Sequence, residues 1–233
     1  MSADKIKPRQ DLEKALDRIN TSLDFGNAHL ELLSDSRTDD FVQFLKDYFF
    51  PDETLCKSIG FKYEDSMTEH VKELLAENLS ILLIDNMTNE IIGCRGLAMC
   101  KKGGADFSLK TTNKEWRHIW AFVEHKNEEM NLFKRFNVDI GVAFLFLCTR
   151  KDYRSKGLAS RMFQAAILFC KELGLSPVCI KGEGSALHSQ RIYEKFGFET
   201  IHVLRHDEYI IDGEVIFKNT EDVESTKCYL KQL

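Results

Sequence analysis

The sequence predicts a mixed α+β fold, with helices flanking a sheet, from three observations. Two apolar segments, SILLID and EIIGCRGLAMC, flank turn residues at 86–89 and predict an antiparallel hairpin. The apolar run at 138–148 is rich in Val, Ile and Phe and predicts a central strand that is buried on both faces. A polar turn and an amphipathic helix follow this run, and then a second strand and helix, an order found in neither repeat proteins nor helical bundles.

The chain is predicted to divide into a polar N-terminal extension, residues 1–27, and one domain, residues 28–233. Within the domain, Asp39 and Asp40 cap a helix that Pro51 ends. The elements predicted before the hairpin are a short helix at 10–19, a strand at 29–33, a helix at 41–50 and a helix at 66–77.

After the hairpin, residues 113–136 predict a helical insertion that has the position of a lid. Apolar residues then recur every four positions after Gly157 and predict a helix with Gly174 as its C-cap. The turn residues Asp212 and Gly213 lie within the last predicted strand region. The predicted elements are a helix at 157–173, a strand at 177–181, a helix at 185–196 and strands at 200–204 and 209–218.

Composition and charge exclude several classes of protein. The net charge of −5 argues against a general nucleic-acid binder, because neutralising phosphates requires a basic face. The longest near-continuous apolar run, residues 141–148, is too short for a membrane helix. The start MSADKIKPRQ lacks the apolar stretch of a secretory signal, so we expect a cytoplasmic protein with no membrane partner. The 7 Cys include no CxxC pair, and no HExxH occurs, so we expect buried thiols and no metal site.

The turn TRKDYRSKGLASR after the buried strand predicts an anion site. Gly157 and Ala159 are small enough to let a phosphate approach the backbone amides at the start of the following helix. Arg154, Lys156 and Arg161 supply positive charge. The position favours a ligand site, because open sheets bind ligands at the carboxyl ends of their strands. An ordinary basic helix start would have the same residues.

The pattern R-x-x-G-x-A after an apolar strand, followed by YEKFGF at 193–198, resembles the GNAT superfamily of acyl-CoA N-acyltransferases. The resemblance covers about residues 28–218. It implies an α/β/α sandwich whose mixed seven-stranded sheet is splayed in the middle, with acetyl-CoA as the cosubstrate in the opening. Strand residues would contact pantetheine, and loop amides would hold the pyrophosphate. The residues implied for the coenzyme are Leu147, Cys148, Thr149, Arg150, Arg154, Ser155, Lys156, Gly157, Leu158, Ala159 and Ser160.

Two further segments, FFPDETL and GSALHSQRIYEKFGF, together with the tail GEVIFK, resemble insect arylalkylamine N-acetyltransferases of the dopamine type. In that family a Glu in a D-E-x-L stretch is the general base, and two Ser four residues apart assist catalysis. The matching residues are Glu53, Ser185 and Ser189. A carboxylate attracts an ammonium and can remove its proton, directly or through water. Without the resemblance, Glu53 is a helix-start carboxylate, and the two Ser are an N-cap and a solvent-facing residue.

Tyr193 matches a position where many superfamily members carry a Tyr that protonates the departing CoA thiolate, although a core aromatic would occupy the same helix face. The superfamily's frequent helix-start Asn is Ala186 here, a departure from the pattern. The rival bases are His188, His202 and His206.

An acyl-enzyme on Cys148 is disfavoured, because burial in an apolar strand raises the pKa of a thiol. We therefore expect direct attack of the amine in a ternary complex.

The expected activity is acetyl transfer from acetyl-CoA to a small arylalkylamine of the dopamine, serotonin, tyramine and octopamine class. The 17 Phe, with Trp116 and Trp120, could line a pocket for a ring. Agmatine, a polyamine or another aliphatic amine remains open as the acceptor. Two other classes also remain open, namely a non-catalytic acyl-CoA-binding module and a dinucleotide binder that uses GEG at 182–184, whose third glycine is absent. We expect a monomer or weak dimer.

Overall fold

The computed structural model describes residues 6–103, 113–220 and 223–233, and within these it describes only the backbone of residues 123–130. The helices are α1 (Arg9–Ser22), α2 (Thr38–Phe44), α3 (Thr54–Ser58), α4 (Thr68–Leu75), α5 (Lys114–Met130), α6 (Leu132–Phe136), α7 (Leu158–Glu172) and α8 (Leu187–Lys195). The strands are β1 (Ala28–Leu32), β2 (Ile81–Asp85), β3 (Ile91–Lys101), β4 (Ile140–Thr149), β5 (Cys179–Gly184), β6 (Glu199–Arg205), β7 (Ile210–Ile211), β8 (Glu214–Val215) and β9 (Ser225–Gln232).

The described strands form a mixed seven-stranded sheet in the order β1-β2-β3-β4-β5-β9-β6, which confirms the predicted fold class. Its neighbours are antiparallel except for β4 and β5, which run parallel. These two strands pair only from Val142 to Phe144, opposite Ile180 to Gly182. Beyond that point they no longer pair, so the sheet is splayed at its centre.

A bulge in β4 lies at the start of the opening. The register between β3 and β4 shifts between Arg95 and Gly96, which pair with Leu147 and Leu145, so Phe146 is the extra residue. Phe146 has a φ of 40°, in the left-handed region that is uncommon for a bulky side chain. Bulges of this kind bend a strand and redirect its side chains, and they concentrate near active sites.

Helices cover both faces of the sheet, because its strands alternate apolar residues toward each face. In β2, Ile81 and Leu83 pack in one core with α1 and α7, whereas Leu82 and Ile84 pack in a second core with α2, α4 and α5. The helix α1 lies in the predicted N-terminal extension, and its residues Leu12, Ala15, Leu16 and Ile19 are buried in the first core.

The predicted helical insertion forms α5 and α6. The start of α5 is packed rather than detached, because Trp116, Ile119 and Phe122 are buried in the second core. None of the helices in the described part of the chain is long and apolar enough to cross a membrane.

The prediction of a strand of the main sheet at 209–218 is wrong. That region forms β7 and β8, a separate two-stranded ribbon, and the last strand of the main sheet is β9, between β5 and β6. The segment STKCYLKQ carries two Lys among its apolar residues, which conceals it in a search for apolar runs. It is nevertheless buried at Cys228, Tyr229 and Leu230, because strands pair with it on both sides.

Candidate active site

A cavity of about 790 Å³ lies where β4 and β5 separate. Its walls come from the end of β4, the loop before α7, the start of α8 and the segment before α3. It brings together most of the residues that the sequence predicts for the site. The predicted residues that line it are Glu53, Leu147, Cys148, Thr149, Arg154, Ser155, Gly157, Leu158, Ala159, Ser160, Ser185, Ser189 and Tyr193.

The loop before α7 has the backbone geometry of an anion site. Ser155 and Gly157 both have left-handed backbone angles, with φ of 64° and 75°. Left-handed residues in such a turn direct successive N–H groups to one side. The first N–H groups of α7, those of Leu158, Ala159 and Ser160, have no acceptor within the helix and lie at the positive end of its dipole.

Arg150 and Lys156 are not part of the cavity wall. The Arg150 guanidinium donates hydrogen bonds to Asp152 and to Glu90, and these carboxylates raise the pKa of Arg150 above its ordinary value. The Lys156 ammonium lies 5.2 Å from the centroid of the Tyr153 ring. Their predicted contacts with the coenzyme stay predictions.

The backbone of β4 presents hydrogen-bonding groups to the opening. The N–H of Arg150 donates to the carbonyl of Ile92, toward β3. Because backbone groups alternate in direction along a strand, the N–H groups of Leu147 and Thr149 point away from β3. The carbonyl of Thr149 accepts a hydrogen bond from Arg154 Nε, at 2.9 Å, on that side.

Glu53 connects two segments that lie far apart in the sequence. It is the N-cap of α3, where Oε2 accepts a hydrogen bond from the N–H of Cys56 at 2.7 Å. Its other oxygen, Oε1, accepts a hydrogen bond from Ser185 Oγ at 2.5 Å, across 132 residues of sequence. The carboxylate is therefore both a helix cap and a partner of the first predicted Ser.

Ser189 makes different contacts from Ser185. Its Oγ donates to the carbonyl of Ala186 at 2.8 Å and accepts from the N–H of Ala186 at 3.3 Å. These bonds stabilise the first turn of α8, whose N-cap is Ala186 rather than the predicted Ser185. Its side chain also faces the cavity, so a catalytic role for Ser189 stays a prediction.

Tyr193 is buried at the inner end of the opening, where only 1% of its surface is exposed. Its hydroxyl accepts a hydrogen bond from Arg95 Nη2 at 2.7 Å. Burial raises the pKa of Tyr193, and the charge and hydrogen bond of Arg95 partly oppose that rise. Arg95 was not selected from the sequence, although an Arg inside the apolar strand EIIGCRGLAMC was a signal that could have identified it.

An ion pair links the segment before α3 to the loop before α7. Arg154 Nη2 donates to Asp52 at 2.6 Å, and Lys151 Nζ lies 3.0 Å from the same carboxylate. Partial burial raises the pKa of Asp52, but the hydrogen bonds from Arg154 and Lys151 outweigh it and lower the pKa overall. Asp52 was not selected from the sequence, and it places the neighbouring Glu53 beside the loop.

Three alternatives to direct acetyl transfer are dinucleotide binding, an acyl-enzyme on Cys148 and a metal site. Residues 182–184 lie within β5 and pair with β9, so they form no glycine turn between a strand and a helix, and the dinucleotide hypothesis fails. Burial raises the pKa of Cys148 to about 12, which leaves its thiol a poor nucleophile at neutral pH. In the described residues no three His, Cys, Asp or Glu side chains form a group able to hold a metal.

The predicted histidine bases differ in position. His188 faces the cavity, and burial, with a smaller effect of Arg154, lowers its pKa. His206 is buried beside the carbonyl of Val223 and the hydroxyl of Thr226, both at 3.0 Å, and does not line the cavity. His202 lies in β6, also away from the lining.

Five aromatic side chains form part of the cavity lining. The Phe146 ring packs edge-on against Phe49, and Trp116 packs edge-on against Phe50 and Trp120. All five rings line the cavity. One cavity thus brings together the loop before α7, the Glu53 carboxylate and an aromatic wall formed by these five rings.

The chain belongs to the GNAT acetyltransferase family, since residues 78–200 match the profile of the acetyltransferase (GNAT) domain. Members of this family use acetyl-CoA, and the chain is accordingly an acyltransferase, as predicted.

Solved structures agree with this assignment. Arylalkylamine N-acetyltransferase 2 from Aedes aegypti has a TM-score of 0.80 and 25% identity, over 88% of this chain and 99% of that one. The mosquito arylalkylamine N-acetyltransferase like 5b has a TM-score of 0.78 and 19% identity, over 88% and 100% of the two chains. The Drosophila melanogaster polyamine N-acetyltransferase, which forms N-acetylagmatine, has a TM-score of 0.76 and 15% identity, over 88% and 100%.

Proposed function

We propose that the protein transfers the acetyl group of acetyl-CoA to the primary amine of a small arylalkylamine, by direct attack in a ternary complex. The observation that carries the proposal is the Glu53–Ser185 hydrogen bond, which lies in the same cavity as the loop before α7 and the aromatic wall. An amine held there would face a thioester that enters along β4.

The coenzyme half of the cavity supports binding of acetyl-CoA. The N–H groups of the loop at 154–157 and of the first turn of α7 would hold the diphosphate. The N–H groups of Leu147 and Thr149 face the opening, where pantetheine would run along the strand. A β4 amide would also stabilise the negative charge that builds on the thioester carbonyl oxygen during attack.

Glu53 and Ser185 are suited to remove a proton from the incoming ammonium. Ser185 donates its hydrogen to Glu53, so the lone pairs of its oxygen are available to accept a proton from the amine. A proton can then pass from the ammonium to Ser185 while the Ser185 proton passes to Glu53. The free amine formed in this way attacks the thioester carbon, and only the free amine is nucleophilic.

The aromatic wall favours an arylalkylamine as the acceptor. Rings such as Phe146 and Trp116 offer apolar faces and edges to a substrate ring. The second candidate, agmatine or a polyamine, carries another cation that needs its own carboxylate. Glu183 is the observation that favours it, because its side chain also lines the cavity.

The test is an assay of the purified protein with acetyl-CoA and a panel of amines, in which thiol release is followed and products are identified by mass spectrometry. We expect kcat/KM for dopamine, serotonin, tyramine and octopamine to exceed that for agmatine and spermidine by about 10-fold or more. A preference for agmatine or spermidine would establish the aliphatic alternative. If calorimetry shows acetyl-CoA binding but none of the amines causes thiol release, the protein is a non-catalytic acyl-CoA-binding module.

The predictions of a cytoplasmic location and of a monomer or weak dimer are part of the same proposal. Fluorescence microscopy of the tagged protein and light scattering of the purified protein would test them. A stable higher oligomer or a different compartment would contradict them.

A further inference from the structure

Arg95 is a buried cation at the point where the sheet opens. Only 2% of its surface is exposed, and it belongs to the cavity lining. Its guanidinium carbon lies 4.3 Å from the centroid of the Phe144 ring and 4.9 Å from that of Phe163. Phe144 pairs with Gly182 in the last pair between β4 and β5, so the charge stands at the apex of the opening.

The contacts of Arg95 are unusual for a buried charge. Its hydrogen bond among the described residues goes to the neutral hydroxyl of Tyr193, its Nε has no partner there, and no ion pair joins it to a described carboxylate. Burying a charge without a counterion is costly, and an apolar residue of similar volume is often as stable or more stable. The cation–π contacts offset part of this cost. A cation in this position is best explained by a negative charge that forms nearby during the reaction.

The direction of the hydrogen bond makes Tyr193 available as a proton donor. A guanidinium has only donors, so the Tyr193 oxygen accepts, and its own hydrogen is available for a different acceptor. The ring is fixed by stacking on Tyr229, with centroids 4.5 Å apart, and by an edge contact with Phe163 at 4.8 Å. Gly182 leaves the space that the hydroxyl occupies.

We infer that Arg95 is a positioning residue for the leaving group, which acts through Tyr193. The inference rests on the proposed function. When the tetrahedral intermediate collapses, its C–S bond breaks and the electron pair stays on sulfur. The Tyr193 hydroxyl gives its proton to that sulfur and forms CoA thiol, and the resulting phenolate is stabilised by the Arg95 guanidinium. A proton lost by the attacking amine, carried by solvent, restores the phenol, so the step balances without a further reactant.

The first experiment is a double-mutant cycle on kcat with Arg95→Met, Tyr193→Phe and the double variant. We expect each single variant to lose about 10²-fold in kcat, with the acetyl-CoA Kd changed less than about twofold. Adding Arg95→Met to Tyr193→Phe should lower kcat by less than about twofold, because the effect of Arg95 depends on the Tyr193 hydroxyl. Equal losses in both backgrounds would mean a merely structural role and would overturn the inference, as would full activity of Tyr193→Phe.

A matched control separates catalysis from stability. Arg9 donates hydrogen bonds from its guanidinium to the carbonyls of Leu32, Leu33 and Asn78, and none of these residues lines the cavity. Arg9→Met should therefore lower the melting temperature while kcat stays within about twofold of wild type. Arg95→Lys should recover part of the activity lost in Arg95→Met, because it restores a cation near the hydroxyl.

A second readout does not depend on the amine. The thiol of bound CoA is titrated by its ultraviolet thiolate absorbance in the wild type and in Arg95→Met. The cation should hold the pKa of that thiol lower in the wild type, so the titration of the variant should move up by about one pH unit or more. An unchanged titration would overturn the inference. A shift with no turnover of any amine would preserve it and reject the proposed acceptor instead.

Discussion

Gly182→Ala tests whether the Tyr193 hydroxyl must occupy its observed place. A Cβ at residue 182 would overlap the hydroxyl oxygen, lie 2.8 Å from Tyr193 Cζ and lie 3.1 Å from Phe144 Cβ. Ordinary carbon contacts begin near 3.4 Å, so the ring must move by more than half an ångström. Tyr229 and Phe163 hold the ring on two sides, so it has little freedom to move.

The magnitude follows from two effects. Overpacking of a filled core costs about 1–3 kcal/mol, and loss of a hydrogen bond to a charged group costs about 1.5–3 kcal/mol. We therefore expect Gly182→Ala to lower the free energy of unfolding by about 2.5–6 kcal/mol. For a chain of this length that corresponds to a fall in melting temperature of about 10 °C. We also expect kcat to fall about as far as in Tyr193→Phe, because the displaced hydroxyl leaves both Arg95 and the opening.

The assay is thermal unfolding by circular dichroism, together with steady-state kinetics on the folded variant. Gly213→Ala serves as the control, because Gly213 has a φ of 82° and a Cβ added there would meet no atom within 4 Å. It should cost only about 1 kcal/mol of backbone strain and leave kcat unchanged. Adding Tyr193→Phe to Gly182→Ala should recover part of the lost stability, since the overlapping oxygen is gone. A Gly182→Ala variant with wild-type stability and kcat would refute the reasoning.

Three further predictions concern the base, the thiol and a buried histidine. Glu53→Gln preserves the cap on α3 but removes the proposed base, so kcat should fall about 10²-fold while calorimetry gives an unchanged acetyl-CoA affinity. An unchanged rate would exclude Glu53 as the base. Burial raises the pKa of Cys148 to about 12, so its thiol should not form an acyl-enzyme and iodoacetamide should inactivate the protein only slowly. Double-reciprocal plots of the initial rate against one substrate, at several fixed concentrations of the other, should therefore give intersecting lines. Parallel lines and a trapped acetyl-Cys148 would contradict direct attack. Burial lowers the pKa of His206, against smaller opposing effects of Val223 and Glu53, so the unfolded chain binds more protons than the folded one. The melting temperature should therefore fall as the pH drops below about 6.5, and less so in His206→Asn; a flat or rising profile would contradict this.

The sequence was sufficient for the parts of the fold that local pattern specifies. The hairpin of β2 and β3, the strand β4 and the helix α7 each carry a strong periodicity or turn signal within a short window. The candidate anion site at 154–157 could also be predicted, because Gly157 and the basic residues around it are close together in the sequence.

Partners distant in sequence could not be predicted from pattern. The Arg95–Tyr193 hydrogen bond joins residues 98 positions apart, and only the register of β3, β4 and β5 brings them together. The Asp52–Arg154 pair likewise depends on how the segment before α3 packs. The strand β9 was missed for a related reason, since its burial comes from its two neighbours rather than from its own polar composition.

The resemblance to a family supplied what periodicity could not. Nothing in the local sequence connects Glu53 with Ser185, yet the motif match assigned both to catalysis, and the structure places their oxygens within hydrogen-bond distance. Their catalytic roles are the part of the site that now requires measurement.

The most direct measurement of the central claim is a crystal structure with a bisubstrate analogue that joins CoA to tryptamine. We expect the diphosphate against the N–H groups of residues 154–160, the amide nitrogen beside Glu53 and Ser185, and the indole against the Trp116 and Phe146 wall. Density for the diphosphate away from the loop before α7, or for the indole away from Trp116 and Phe146, would contradict it.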